Sequence, residues 1–253
     1  MKTTRDTLWN GDLLFEQPAR GYGYRFNLDP ILLSGFVSPA VQVVDLGAGI
    51  GIIGILLLAM GKAKQVTAVE IQTSLAQLAD KNIQNNGYTN RMKIINDDLR
   101  QVEISHADLV VFNPPYFRNN EGHGASEYSR DIARHERNGT LADFVAKAIK
   151  LATRPKNTHA VHSIIGRVGA IIPVRRGEEL EKLLISNKHI TILRRRFVQP
   201  REQSAAKYLL IEASYQEHNE IYKNNTLTEN PLIVHKDDGR SYTDEVCELL
   251  RDW

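Results

Sequence analysis

The chain has 253 residues, 42% hydrophobic and 25% charged, which is enough for one large α/β domain with a real core or two small domains. A formal net charge of +2 excludes a global polycation, so a nucleic-acid partner would need a local basic patch. The single cysteine, Cys247, excludes a disulfide framework or a cysteine-based metal site within one chain and suits a reducing cytoplasm.

Residues 1–20 read as a polar N-terminal lead, and Met1 to Asn10 lacks the apolar core of a secretory signal. Tyr22 to Val37 places Leu28, Ile31, Leu32 and Leu33 among aromatics, which predicts a short helix packed on the domain. Val41 to Leu46 is an apolar run ending in glycines and predicts a buried strand. Ile52 to Ala59 predicts a helix; the run to Met60 is too short to span a bilayer, so no membrane partner is expected. Gln65–Ile71, Met92–Asn96 and Ala107–Phe112 follow as strands, with a helix over Ser74–Asn86 that Gly87 stops. Its Leu75, Leu78, Ala79 and Asn82 share one face. Strands alternating with helices imply parallel pairing through right-handed crossovers.

The polar stretch Arg118 to Arg137 is too long for a tight turn and predicts an active-site loop. Beyond it come a helix over Leu141–Leu151, a fifth strand over Gly169–Val174 and a helix over Glu178–Ser186. Ile190–Val198 and Lys207–Tyr215 predict an antiparallel hairpin at the sheet edge. Arg154 to Arg167 reads as an insertion. The tail is polar to Leu227, then offers an apolar stretch at Pro231–Val234 and an amphipathic end at Val246–Leu250. The expected organisation is a lead and covering segment over 1–40, a main domain over 41–217 and an extension over 218–253 packed on it.

The first strand runs into Asp45-Leu46-Gly47-Ala48-Gly49-Ile50-Gly51. Glycines let the backbone approach a ligand and permit positive φ, and the following helix points its positive end into the crevice. Alone, this pattern fits a dinucleotide fold or a mere tight turn. Glu70, about twenty residues on, ends the second strand, where a carboxylate can accept from both hydroxyls of a ribose. After the third strand, Asn96-Asp97-Asp98 offers an acid for an adenine amino group; Asp98 is favoured, with Asp97 as the alternative.

The fourth strand delivers Asn113-Pro114-Pro115-Tyr116 to the carboxyl edge of the sheet. The Asn113 side-chain carbonyl and the Pro114 carbonyl are two acceptors on a corner that the prolines stiffen. Two acceptors converging on one –NH2 group hold both its hydrogens and turn its lone pair toward a methyl donor. Tyr116 adds a face on which a planar group can stack. The motif alone could be a proline-rich loop with an Asn cap. Joined to the glycines and Glu70 it predicts an S-adenosylmethionine-dependent methyltransferase acting on an amide or exocyclic amino nitrogen.

At this point the sequence resembles class I methyltransferases of the N6-adenine and N5-glutamine type, and more narrowly the bacterial tRNA1(Val) adenine-N6-methyltransferase family. The narrower match rests on Gly23 to Leu33, on Asp45 to Gly51, on Asn113-Pro114-Pro115-Tyr116-Phe117, on Ala133-Arg134-His135-Glu136 and on Pro231 to His235. The resemblance implies a Rossmann-like α/β fold with a seven-stranded, mostly parallel sheet. It also implies S-adenosylmethionine as cofactor and methylation of the adenine 3′ of the anticodon in a valine tRNA. It would place Tyr24 to Leu33 over the methionine end of the cofactor, with Arg25 and Asp29 near the site.

For RNA contacts the local basic residues are Arg130, Arg134, His135 and Arg137 after the motif, and Arg194, Arg195, Arg196, Arg201 and Lys207 near the hairpin. Strand alternation sends Arg194 and Arg196 to one side and Arg195 to the other. Such runs are also what a solvated face looks like. Tyr128 could stack on a base. The histidines show no metal spacing, so no metal is expected. Competing readings are a release-factor glutamine methyltransferase, disfavoured by the short N-terminal lead, a DNA adenine methyltransferase, and a non-catalytic RNA-binding protein with a retained cofactor pocket.

Overall fold

The computed structural model describes residues 2–22, 25–115, 139–153, 166–216 and 226–251. The lead is not a polar tail but a hairpin: β1 (Thr3–Leu8) pairs antiparallel with β2 (Leu13–Pro18). The alternation is visible only in β2, where Leu13, Phe15 and Gln17 turn inward, while β1 stays largely exposed. Trp9, Asn10 and Gly11 make the turn with φ of 57°, 53° and 101°. Burial holds Trp9 in that uncommon conformation: its indole N–H donates to the Leu249 carbonyl at 3.0 Å, and Arg251 lies 3.9 Å from its ring.

The helix after the hairpin, α1 (Asp29–Phe36), is buried on nearly every side. The main sheet is built from β3 (Ala40–Leu46), β4 (Ala63–Val69), β5 (Met92–Ile95), β6 (Leu109–Phe112), β7 (Arg167–Pro173), β8 (Ile190–Gln199) and β9 (Tyr208–Tyr215). Their order is β5-β4-β3-β6-β7-β9-β8, parallel except for β9, which runs antiparallel to both neighbours. The mostly parallel sheet and the antiparallel C-terminal hairpin are as expected, but among the described residues the sheet has nine strands rather than seven. The hairpin is not a bare edge, because two short strands from the tail, β10 (Leu227–Thr228) and β11 (Leu232–Ile233), pair with β8.

Helices cover both faces. On one lie α1, α2 (Ile52–Ala59), α3 (Thr73–Asn85) and the final helix, α6 (Asp244–Leu250), with the N-terminal hairpin outside them. On the other lie α4 (Leu141–Ala152) and α5 (Gly177–Ile185). The β2 backbone is held by two amides one turn apart, Asn82 in the last turns of α3 and Asn86 at its C-cap. Asn82 accepts from the Glu16 N–H at 2.7 Å and donates to the Glu16 carbonyl at 3.0 Å. Asn86 does the same with Leu14, at 3.0 and 2.8 Å. A helix side chain thus takes the place of a neighbouring strand, which satisfies backbone groups that would otherwise be buried unpaired.

The arginine triplet alternates as the strand period requires, but its partners are internal. Glu212 of β9 is buried and accepts from Arg167 at 2.9 Å, from Arg194 at 2.7 and 2.9 Å and from the Ser38 hydroxyl at 2.9 Å. Arg194 also pairs with Glu229 and lies 4.2 Å from the Phe36 ring, which ties β8 to the C-terminal end of α1. Arg196 pairs with Glu245 of α6, and Arg195 turns the other way to Glu181 of α5.

Candidate active site

Four strands stop in register. Leu46 sits opposite Val69 and Phe112, and Val69 sits opposite Ile95. The next residues, Asn96, Glu70, Gly47 and Asn113, therefore form a row along the carboxyl edge. At about 4.8 Å per strand the row is about 14 Å long, the span of a nucleoside with a short tail.

The loop after β3 is built for close approach. Gly47, Gly49 and Gly51 have φ of 69°, 58° and 83°, a region in which only glycine is unstrained. A Cβ on Gly49 would meet no atom within 4 Å, so that residue faces open space. A Cβ on Gly47 would meet the Phe144 ring at 3.0 Å. Phe144 is fixed by the start of α4, where Thr140 and Asp143 form a capping box. Gly51 caps α2, which presents its orphan N–H groups to the loop.

Three acceptors at this edge have unusual surroundings. Both carboxylate oxygens of Asp45 are buried without a hydrogen-bond partner among the described residues. Burial pushes its pKa up to about 7; the Gly54 amide of α2 opposes this without reaching hydrogen-bond geometry, and the Glu70 charge adds to it. Glu70 is also buried and its pKa raised by desolvation, although it accepts from the Gly49 N–H at 2.9 Å and the Gln72 N–H at 2.8 Å. Asn113 Oδ1 is buried and has no hydrogen-bond partner among the described residues. Unpaired buried acceptors are costly, and their clustering at one strand edge is the mark of a ligand site. The donor set fits an adenosyl cofactor with a cationic end: a carboxylate for the ribose, a glycine cradle and a buried acid nearby.

The other expected residues separate. Pro114 is buried and Pro115 exposed beside Asn113. Asp98 lies two residues beyond Asn96, and the Arg100 guanidinium grips it and holds its carboxyl below the usual range. Asp97 spends an oxygen on the Asp98 N–H at 2.7 Å. Arg25 faces the hairpin, donating to Thr4 at 2.6 Å, the Pro18 carbonyl at 2.7 Å and Asp6 at 2.9 Å. Asp29 is buried at the head of α1, where Asn27 donates to its carboxylate at 2.9 Å. Arg194 and Arg196 are committed to the internal pairs above, whereas Arg201 and Lys207 are exposed at the β8–β9 turn on this same edge. Tyr24, Tyr116, Tyr128, Arg130, Arg134, His135 and Arg137 lie outside the described residues.

Sequence reasoning missed Asn82. Its side chain is fully buried and its amide also donates to the Ile50 carbonyl at 3.0 Å, which joins the glycine loop to the hairpin. The available signal was a polar residue on the apolar face of α3, repeated one turn later by Asn86. Asn96 was likewise read only as a neighbour of the acids; its amide donates to the Glu70 and Ile71 carbonyls at 2.8 and 3.1 Å and so fixes the end of β4. Among the described residues, no three His, Cys, Asp or Glu side chains gather into a metal-binding group, and no helix is long and apolar enough to cross a membrane.

Comparison with known proteins agrees with this geometry. Residues 29–134 match the methyltransferase small domain family model. Over 233 residues the chain is 28% identical to the tRNA1(Val) (adenine(37)-N6)-methyltransferase of Aliivibrio salmonicida, covering 90% of each chain. It is 26% identical over 234 residues to the protein of that name from a Flavobacteriaceae bacterium, covering 91% of each. In fold it is similar to a predicted O-methyltransferase from Agrobacterium tumefaciens, with a TM-score of 0.63, 20% identity and coverage of 88% of this chain and 95% of that one. The chain is a Rossmann-like, S-adenosylmethionine-dependent methyltransferase, related along nine tenths of its length to the tRNA1(Val) (adenine(37)-N6)-methyltransferases.

Proposed function

We propose that the protein methylates the exocyclic N6 amino group of an adenine in RNA, in the anticodon loop of a valine tRNA, within the cytoplasm. The observation that carries this is the buried Asn113 Oδ1, unpaired among the described residues, at the end of β6 next to the glycine loop.

An adenine amino group is a poor nucleophile because its lone pair is delocalised into the ring. The Asn113 side-chain carbonyl and the Pro114 carbonyl accept its two N–H bonds. That draws the nitrogen toward tetrahedral geometry, localises the lone pair and stabilises the charge that develops on it. Shielding from water strengthens both contacts. Bound S-adenosylmethionine supplies an electrophilic methyl group. The amino proton leaves after transfer, so no strong base is needed beforehand. Glu70 holds the ribose hydroxyls, the loop from Gly47 to Gly51 admits the cofactor to backbone contact, and Asp45 offers negative charge to its cationic end. Tyr116 and Pro115 would flank the base, and Arg201 and Lys207 would meet phosphates. The names of the full-length relatives support adenine in tRNA over a glutamine amide, which the same two acceptors could also hold.

The test offers tritiated S-adenosylmethionine with tRNA, duplex DNA and release factor in separate reactions. Label in tRNA supports the reading. Label in release factor alone, or in DNA alone, contradicts it.

A further inference from the structure

The N-terminal hairpin is fastened to the cofactor side of the molecule from two directions. Asn82 binds β2 with one side of its amide and the Ile50 carbonyl of the glycine loop with the other. Arg25 binds Thr4, Asp6 and the Pro18 carbonyl, and Gln17 accepts from the Phe26 N–H at 3.1 Å. The segment that leads into α1 is therefore stitched to the open end of the hairpin. A ribbon so anchored keeps a fixed position relative to the cofactor loop.

What the open end displays is cationic and aromatic. Lys2, Arg5 and Arg20 are exposed there, Arg5 with 71% of its side chain in solvent. Tyr22 is 54% exposed, and Lys2 Nζ lies 5.8 Å from its ring centroid. The nearby acids are already engaged: Asp6 by Arg25 and Gln17, and Glu16 by Arg5 at 3.4 Å and Lys81 at 4.0 Å. At the β8–β9 rim, by contrast, the exposed Glu202, Asp237 and Asp238 stand among the cations. An exposed ring flanked by cations is the arrangement with which proteins take unstacked bases and their phosphates.

We propose that the open end of the β1–β2 hairpin, with Lys2, Arg5, Arg20 and Tyr22, is a docking platform for the RNA substrate, locked by Asn82 and Arg25 in register with the cofactor loop. The platform rests on the reading that RNA is the substrate. Tyr22 stacks on a base outside the reacting pocket and Lys2 and Arg20 meet phosphates, as does Arg5, whose exposed side chain can exchange its long 3.4 Å contact with Glu16 for one. Asn82 sets how far that base sits from the methyl donor.

The experiment uses the full chain, tRNA and S-adenosylmethionine, comparing wild type with Arg5→Gln/Arg20→Gln and with Tyr22→Ala. Both variants are expected to raise the tRNA KM about tenfold, Tyr22→Ala through the lost base stacking and the double variant through the lost phosphate contacts, leaving cofactor affinity and thermal stability unchanged. In the double variant the slope of log K against log salt should fall by about 1 to 2, at roughly 0.7–0.9 per phosphate contact. Wild-type tRNA KM and salt slope in both variants would overturn the platform while leaving the RNA reading intact. Wild-type protein that transfers no methyl to any RNA would overturn the RNA reading, and the platform with it.

Discussion

Asp45→Asn removes a carboxylate that is buried without hydrogen-bond partners among the described residues. In the folded apoprotein its pKa is pushed up to about 7, against 3.8 for the ordinary group, because burial penalises the charged form. The folded state therefore keeps a proton that the unfolded chain releases near pH 4. The contribution of this one group to stability is greatest below that point and is lost as pH rises toward 7. The gap between 3.8 and about 7, at 1.36 kcal/mol per pH unit, sets an upper bound of about 4 kcal/mol on the penalty at pH 8. Urea unfolding of the apoprotein at pH 4, 6 and 8 would measure it. The variant should match wild type at pH 4 and exceed it increasingly toward pH 8. Glu70, whose pKa is also raised, contributes to both proteins, so the difference reports Asp45 together with its coupling to Glu70. The same variant should bind S-adenosylmethionine about tenfold or more weakly, since a charge-assisted contact is worth about 1.5–3 kcal/mol. A stability difference of one size at every pH, or a variant less stable at pH 8, would refute the reasoning.

Asn113→Ala should lower kcat by roughly a hundredfold to a thousandfold, the range for losing one preorganised charge-stabilising group. Calorimetric cofactor affinity should change little, and stability should hold or rise because the deleted acceptor has no partner among the described residues. Gly49→Ala puts a Cβ at φ 58° into the open cradle. The left-handed backbone costs roughly 1–2 kcal/mol, so Tm should drop only a few degrees while the cofactor KM rises steeply. Glu212→Gln weakens the buried partner of Arg167 and Arg194 and should destabilise by about 3 kcal/mol in urea. It should leave the salt dependence of tRNA binding unchanged, because those arginines face inward.

The central domain was legible because parallel strands buried on both faces write themselves as apolar runs. β3 and α2, with α2 apolar almost throughout, could be bounded to within a residue. The site was legible because strand ends carry the chemistry: Asp45, Gly49, Glu70 and Asn113 all come to one edge. The hairpin was not, since β1 has no buried face of its own and β2 depends on Asn82 and Asn86, residues far along the chain. The arginine triplet misled for a related reason. Alternation correctly separated Arg195 from its neighbours, but nothing in the local sequence shows that Glu212, Glu229 and Glu245 fold back to meet them. Long-range polar pairing has no periodic signature.

The most direct test of the account is the chemical identity of the product. Valine tRNA methylated by the pure protein would be digested to nucleosides and separated by mass-resolved chromatography, with the modified position mapped by nuclease fragments. The account predicts one methyl group per tRNA, recovered as N6-methyladenosine from the anticodon loop. A methyl group on a ring nitrogen or a ribose oxygen would contradict it, because the paired acceptors at Asn113 and Pro114 are suited to an –NH2 group and to neither of those.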